Sequence, residues 1–299
     1  MIVSNVAKIE FSTVKAGFRS PVIGNLITAA LTRNKSLICT PIPEFAKLNR
    51  AQNNLFHKYY IDEHTFEYIN CLSNDPAISN KLNGEFVLAA LLHDIAKPQT
   101  ETIMPDGKSQ YLGHAEKAAK EIVPAILTRL DINDGDPARD IILALIETHM
   151  RSMQFISQAA RGELSDKAAG RFARDVVEPL KLKNIDLSVL LAFGRADLLA
   201  SKGPECYSSV GVAENDDKAL TDKIDQVITE IIKRIEAYYL AQKQSQDSKP
   251  TLVTGKDLAA AGYKPGPIMK ELLAEAARLE KEGKNKDQII AGLKQKFPV

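Results

Sequence analysis

The chain has 299 residues, enough for one large domain or two modest ones with a core that needs no covalent staples. A composition that is 44% hydrophobic and 26% charged excludes a disordered or collagen-like chain. With 39 Lys+Arg against 38 Asp+Glu, a formal charge of +1, no global field recruits nucleic acid or anionic lipid, and any such binding must come from a local patch. Three scattered cysteines, Cys39, Cys71 and Cys206, make neither a disulfide framework nor a cysteine-type zinc site and point to a reducing compartment. The opening MIVSNVAKIEFSTVK lacks the apolar centre of a secretory signal, and no apolar run reaches membrane-spanning length. A soluble, cytoplasmic protein is expected.

Strand signals are poor, and long segments repeat at helical period. In residues 1–20, Ile9, Phe11 and Val14 suit a short strand or a helix start equally. A helix is expected near 21–33, followed by a proline-interrupted loop, CTPIPEF. Helical segments then follow at about 62–73, 84–97, 113–130, 137–157, 165–178, 184–201 and 216–244. Asp62 is placed to N-cap the first of these, and Pro98 to end the second because it has no amide donor. Asp136 reads as the cap of the helix beginning at 137 rather than as part of a calcium loop. DINDGDPARDII puts Gly one place early and Ile142 where a calcium loop needs Glu. The polar run QKQSQDSKP, 242–250, reads as a linker, after which Thr254 and Asp257 have capping-box spacing. Helices at about 255–262, 266–283 and 286–297 complete an all-α architecture. It comprises an N-terminal segment, 1–50, of unclear role, a helical bundle over 51–245 and a small helical appendage over 250–299.

The chemistry-bearing residues lie on these helices. In chain order they are His64 in DEHTFEY, His93-Asp94 in LLHDIAKP, His114 in GHAEKA, His149 in ETHMRS and Asp197 in GRADLLA. Imidazoles and carboxylates on facing helices of a bundle can converge on a cation. A lone helical histidine is more often a satisfied core or surface residue. The adjacent pair alters that balance, because Asp94 follows the apolar run VLAALL, where an unpaired carboxylate costs several kcal/mol and a cation partner is expected.

The order His…His-Asp…Asp, with LLHDIAKP as its signature, resembles the HD superfamily of metal-dependent phosphohydrolases. The resemblance implies an HD-domain helical bundle in which His64, His93, Asp94 and Asp197 bind one metal. In the six-ligand version Asp94 bridges to a second metal held by His114 and His149. A narrower resemblance spans about 55–290. HKYYIDEHTFEYI, LAALLHDIAKPQT, YLGHAEKAAK and TGKDLAAAGYKPGPIMKELL are similar to the downstream part of bacterial tRNA nucleotidyltransferases, the CCA-adding enzymes. Some of these carry an HD domain with phosphatase and 2′,3′-cyclic phosphodiesterase activity. The nucleotidyltransferase head of that family needs a Gly-Ser turn and a paired-Asp motif ahead of the HD region, and residues 1–50 contain neither. Asp134 and Asp136 have the right spacing but lie downstream of the His-Asp pair. Nucleotide addition is not expected of this chain.

Three further residues are candidates for substrate. Lys97, four after His93, shares its face on a continuous helix and would neutralise a phosphate oxygen; the plainer reading is a solvated helix-end lysine. His57 precedes the first site helix and could reach substrate, although a loop histidine is more often just exposed. Arg195, two before Asp197, would orient a phosphate or pair structurally, with the structural role favoured. The appendage carries an excess of basic residues, the composition behind weak steering of an RNA backbone, but sparse aromatics for stacking (Tyr263, Phe297).

The expected function is a metal-dependent phosphohydrolase, a phosphodiesterase or phosphatase acting on nucleotides or RNA-end phosphates such as 2′,3′-cyclic or 2′-phosphate, with tRNA as a candidate substrate. Asp94 or Asp197 would take the proton of a metal-bound water. Mixed imidazole and carboxylate ligands suit one or two ions of Mn, Fe, Co, Ni or Zn better than Mg. Two rivals are a di-iron oxygenase on the same scaffold and a non-catalytic tRNA-binding module.

Overall fold

The computed structural model describes residues 20–247 and 252–298, so the ambiguous segment around Ile9, Phe11 and Val14 lies outside the described residues. The described chain is all-α, with one two-stranded hairpin. No helix among the described residues is long and apolar enough to cross a membrane. The chain divides into two compact units, Met1–Ile232 and Lys233–Val299, the division falling within the longest helix.

In the first unit, α1 (Pro21–Leu31) starts where the Ser20 hydroxyl accepts the Val22 amide and Pro21 takes the first turn, needing no partner for an amide it lacks. The expected loop CTPIPEF is more ordered than its prolines suggest. Asn34 caps a short α2 (Lys35–Cys39), and Pro43 opens a 3-10 turn, Pro43–Leu48, that buries Phe45 and Leu48. Residues 20–50 thus pack into the same unit as the bundle.

Helix α3 (Ile61–Ser73) begins one residue before the expected cap. Tyr60 is at the cap position and makes no side-chain cap bond, while Asp62 lies buried in the first turn, paired at 2.6 Å with Lys35. Helix α4 (Gly84–Leu92), capped by Asn83, is nearly uniformly apolar and buried all round. It ends at Leu92, not at Pro98. Residues 93–96 form turns, and Pro98 sits in the first turn of a four-residue helix, α5 (Lys97–Thr100), where a missing amide is harmless. A hairpin pairs β1 (Thr102–Ile103) with β2 (Ser109–Gln110).

The next two helical stretches each widen ahead of a proline. Helix α6 (His114–Lys117) passes through a π turn, Ala118–Ile122, into α7 (Val123–Arg129), which contains Pro124. Helix α9 (Asp166–Phe172) passes through Ala173–Val177 into α10 (Glu178–Lys181), which contains Pro179. Proline cannot donate to the preceding turn and clashes with it, and a widened turn lets the helix continue. Between them runs α8 (Pro137–Ala160), N-capped as expected by Asp136, whose carboxylate accepts the Ala138 amide at 3.0 Å.

Helix α11 (Leu187–Ser201) packs against both α8 and α3 and forms the centre of the unit. Its Gly194 permits this. A Cβ there would lie 2.8 Å from the backbone of Ser152 and Met153, so any larger residue would push the two helices apart. A short α12 (Pro204–Ser209), absent from the sequence expectation, follows, and then the long α13 (Asp217–Asp247).

In the second unit, α14 (Gly255–Ala260), α15 (Ile268–Lys281) and α16 (Lys286–Lys296) gather around Val253, Leu258, Tyr263, Leu272, Ala276, Ile289 and Leu293. The capping box read from Thr254 and Asp257 forms, and a second, Asn285 with Gln288, starts α16.

Candidate metal centre

All six expected ligands converge. His64 comes from the first turn of α3, His93 and Asp94 from the turn after α4, His114 from the start of α6, His149 from mid-α8 and Asp197 from α11. Each is buried. Ligand atoms lie within 4.8 Å of one another in three overlapping groups: His64 with His93 and Asp94, Asp94 with His114 and His149, and His57 with His64 and Asp197. Asp94 is the shared member of the first two. Its Oδ1 is 3.3 Å from His114 Nε2, and its Oδ2 is 3.1 Å from His93 Nε2 and 3.7 Å from His64 Nε2.

The tautomers follow from the backbone. His93, His114 and His149 each place Nδ1 2.6–2.7 Å from the carbonyl three residues earlier, of Ala90, Tyr111 and Ile146. A carbonyl only accepts, so each Nδ1 carries the proton and each Nε2 presents a lone pair to the centre, the arrangement metal-ligating histidines adopt. Two of those lone pairs, on His114 and His149, then face each other across 3.2 Å. A cation shared between them would remove the repulsion. Both ring nitrogens of His64, His93 Nε2 and Asp94 Oδ2 are also buried without a hydrogen bond, although Asp94 Oδ2 has the Lys97 ammonium 2.7 Å away. These orphaned donors and acceptors fit one or two divalent metal ions.

Electrostatics agree. Burial, with the nearby His93 and His114, lowers His149 to about 3, so it is neutral and ready to ligate. Burial would raise the Asp94 carboxyl, but the charges of His93 and Lys97 outweigh it and hold the group well below its ordinary range. Asp197 is likewise lowered against its burial, chiefly by the hydrogen bond and charge of His64, whose Nε2 is 3.3 Å away. His93 is raised, the neighbouring Asp94 overcoming the opposing effect of burial.

Lys97 is neither on a continuous helix with His93 nor solvated. It opens α5, is 3% exposed, and spans Asp94 Oδ2 and the Gln52 side-chain carbonyl at 2.7 Å each. Gln52 is a site residue that no motif announced; its Nε2 donates in turn to the Tyr59 carbonyl. His57 is drawn further in than a loop histidine would be. Asn54 Oδ1 accepts from the amides of Phe56 and His57 and lies 3.1 Å from His57 Nδ1, leaving Nε2 free to face Lys97 Nζ at 3.4 Å. Burial and the Lys97 charge push His57 well below its ordinary value. The segment is seated by Gly203, where a Cβ would stand 2.4 Å from the Leu55 carbonyl.

Arg195 does not join this group. Its guanidinium is held by Asp225, at 2.6 and 3.2 Å, and by Asp75 at 3.4 Å, which is the structural role favoured for it over the substrate-binding alternative. A cavity of about 270 Å³ opens onto the centre, lined by His57, Asp94, Lys97, His114, Met153 and Asp197 among others.

Comparison with known families matches residues 64–189 to the HD domain. Among curated proteins, the chain is similar to the A-adding tRNA nucleotidyltransferase of Deinococcus radiodurans, 27% identical over 257 residues. The match covers 83% of this chain and 49% of that protein, so the chain spans about half the length of this relative.

Proposed function

We propose that this chain, which carries an HD domain of the metal-dependent phosphohydrolase superfamily, hydrolyses a phosphate ester on a nucleotide or an RNA end, a 2′,3′-cyclic or 2′-phosphate being the leading class. The observation that carries the reading is Asp94. One carboxylate serves two histidine groups and also holds the Lys97 ammonium at the mouth of a cavity. The ammonium keeps the shared carboxylate ionised and also sets a positive charge at the cavity edge, where a phosphate oxygen would be neutralised.

His64, His93, Asp94 and Asp197 would hold one divalent ion, and His114 and His149 a second, with Asp94 shared. When bound, such ions lower the pKa of a coordinated water and draw charge from a phosphate oxygen. The imidazole-rich set favours Mn, Fe, Co, Ni or Zn over Mg. Asp94 is engaged on both oxygens, by His114 on one and by His93 and Lys97 on the other. Asp197 has its nearest histidine contact on Oδ1 and borders the cavity, which makes it the better placed carboxylate to take a proton. Lys97, held by Gln52, would offer its ammonium to a phosphate oxygen. Neutral His57, with its lone pair toward Lys97, would fix where that ammonium points. The RNA-end reading rests on the similarity to a protein named for acting on tRNA.

The test is a panel of 2′,3′-cyclic nucleotides and 2′-, 3′- and 5′-monophosphates assayed with Mn, Co, Ni, Zn and Mg. Turnover of at least one ester with a transition metal is expected. Absence of phosphate release and of ring opening under every metal would overturn the proposal.

A further inference from the structure

A second cavity, of about 570 Å³, adjoins the mouth of the metal centre, and the two share Tyr111, Leu112, His114 and Met150 as common wall. Its volume falls in the range of roughly 300–1,000 Å³ usual for small-molecule sites. One face of α8 supplies much of its lining, through Ala144, Glu147, Thr148, Arg151 and Gln154, residues spaced three or four apart. His149 lies on the neighbouring face of the same helix, and Met150 forms the divide. A molecule whose phosphate sits at the metal ligands therefore has room for its remainder on the His114 side.

The charges around this annex are nearly all spoken for. Lys120 pairs with Glu116 at 2.6 Å and Glu147 at 3.5 Å, Asp175 with Arg174 at 2.8 Å, and Lys183 approaches Asp140 at 3.9 Å. Arg151 is the exception: among the described residues its exposed guanidinium has neither a hydrogen bond nor an ion pair. Beside it stand the amide of Gln154 and the apolar surfaces of Val176, Pro179 and Leu180. At the shared rim, Leu112 is 81% exposed, an apolar side chain with nothing over it.

Resting on the phosphohydrolase reading above, we infer that this annex binds the nucleoside part of the substrate, with Arg151 as the residue that recognises the base. Local acids offset the bases other than Arg151, so the annex offers no concentrated positive field for a second phosphate. What it offers is the apolar wall of Val176, Pro179 and Leu180, an amide and one free planar fork, which matches a ring with hydrogen-bond acceptors along its edge. Arg151 touches no metal ligand, so its effect is on binding and specificity rather than on the reacting atoms.

The experiment measures equilibrium binding by calorimetry to the metal-loaded full chain. The probes are the four 3′-nucleoside monophosphates, ribose 5-phosphate as a baseless control, and a 3′,5′-nucleoside bisphosphate. The wild-type chain is expected to bind at least one nucleotide tenfold or more tightly than ribose 5-phosphate. Arg151→Ala should remove that preference while leaving ribose phosphate affinity and metal content unchanged, the scale of losing one charged hydrogen bond. Arg151→Lys should not restore it, because a point charge cannot reproduce the fork. Equal affinity for nucleotides and ribose phosphate, or an unchanged preference in Arg151→Ala, would overturn the inference. Full rescue by Arg151→Lys together with tighter binding of the bisphosphate would replace the base with a second phosphate and overturn it too. Base-dependent binding without hydrolysis would sink the phosphohydrolase reading alone, and hydrolysis without base dependence would sink the annex alone.

Discussion

Gly194 of α11 faces Ser152 of α8 so closely that a Cβ would stand 2.8 Å from both the Ser152 hydroxyl and its carbonyl carbon. Ser152 is one turn beyond His149, and Asp197 is one turn beyond Gly194. The helix crossing thus sets how far the Asp197 carboxylate stands from the histidine side of the centre. Gly194→Ala should destabilise the protein by about 1–3 kcal/mol, the usual cost of overpacking against backbone, and should lower metal content in the fraction that folds. Gly24→Ala is the control. Its Cβ meets nothing within 4 Å inside a helix, so it should be neutral or stabilising by about 0.5–1 kcal/mol. Urea melts and metal analysis of both variants decide the matter; equal stability would remove Gly194 from the account.

The shared position of Asp94 separates two variants. Asp94→Ala removes the one ligand common to both histidine groups and should strip metal and abolish hydrolysis. Lys97→Ala leaves every ligand in place, and metal content should survive while turnover falls tenfold or more, about 1.4 kcal/mol of barrier. Full metal occupancy in Asp94→Ala, or unchanged kinetics in Lys97→Ala, would contradict the assignment of these two residues.

Of the six candidate ligands, His93 and Asp94 were legible because a carboxylate closing an apolar helix calls for a cation partner, and the others because their order along the chain resembles the HD superfamily. What surrounds them was not. Lys97 was legible as a cation near the site but not as a buried one, because its burial depends on α4 ending at Leu92 and on a turn that Pro98 merely follows. Gln52 and the inward seat of His57 depend on a loop shaped locally by the Asn54 side chain and anchored across the fold by the close approach of Gly203. No period in the sequence reports such contacts. For Arg195 the structural role was legible but its partners were not, because Asp75 and Asp225 are 120 residues before and 30 after it. The prolines of CTPIPEF were legible as an interruption, yet the chain absorbs them in a 3-10 turn, while the π turns ahead of Pro124 and Pro179 were not foreseen in helices read as continuous.

Acid should act on the metal-free protein through His149. Its folded pKa of about 3 lies below the unfolded value near 6.5, so the unfolded state binds more protons between those limits. Stability from this group is full above about pH 6.5 and is lost as pH falls toward 3, at a slope of up to roughly 1.4 kcal/mol per pH unit. His93 has the opposite sign: its raised folded pKa gives stability that is present below about 6.5 and lost as pH rises through the folded value. Metal-free protein should therefore soften steadily from pH 6.5 to pH 4, and His149→Gln should flatten that slope. Metal binding near neutrality should release no proton from His149, which is already neutral there. Thermal melts across pH, and calorimetric titrations in buffers of different ionisation enthalpy, provide the two readouts; a slope that survives His149→Gln would refute the assignment.

If the chain acts on an RNA end, the second unit offers a means of steering it. Lys264 and Lys270 are exposed and have no ion-pair partner among the described residues, whereas Lys286 pairs with Asp257 and Lys296 with Glu275. Phosphate contacts by free lysines release counterions, each adding about 0.7–0.9 to the magnitude of the log–log salt slope. The double variant Lys264→Ala, Lys270→Ala should bind tRNA more weakly and with a shallower slope, by about 1.5, if both lysines contact phosphate. It should fold normally, because neither side chain enters the small core around Leu258, Leu272 and Ile289. Hydrolysis of a small cyclic nucleotide should be unchanged, since that chemistry needs only the metal centre. Removal of Lys286 alone should matter less, its charge being already met by Asp257 at 2.6 Å. Filter binding at several salt concentrations gives the slopes, and a double variant with the parent's affinity and slope would take these lysines out of RNA recognition.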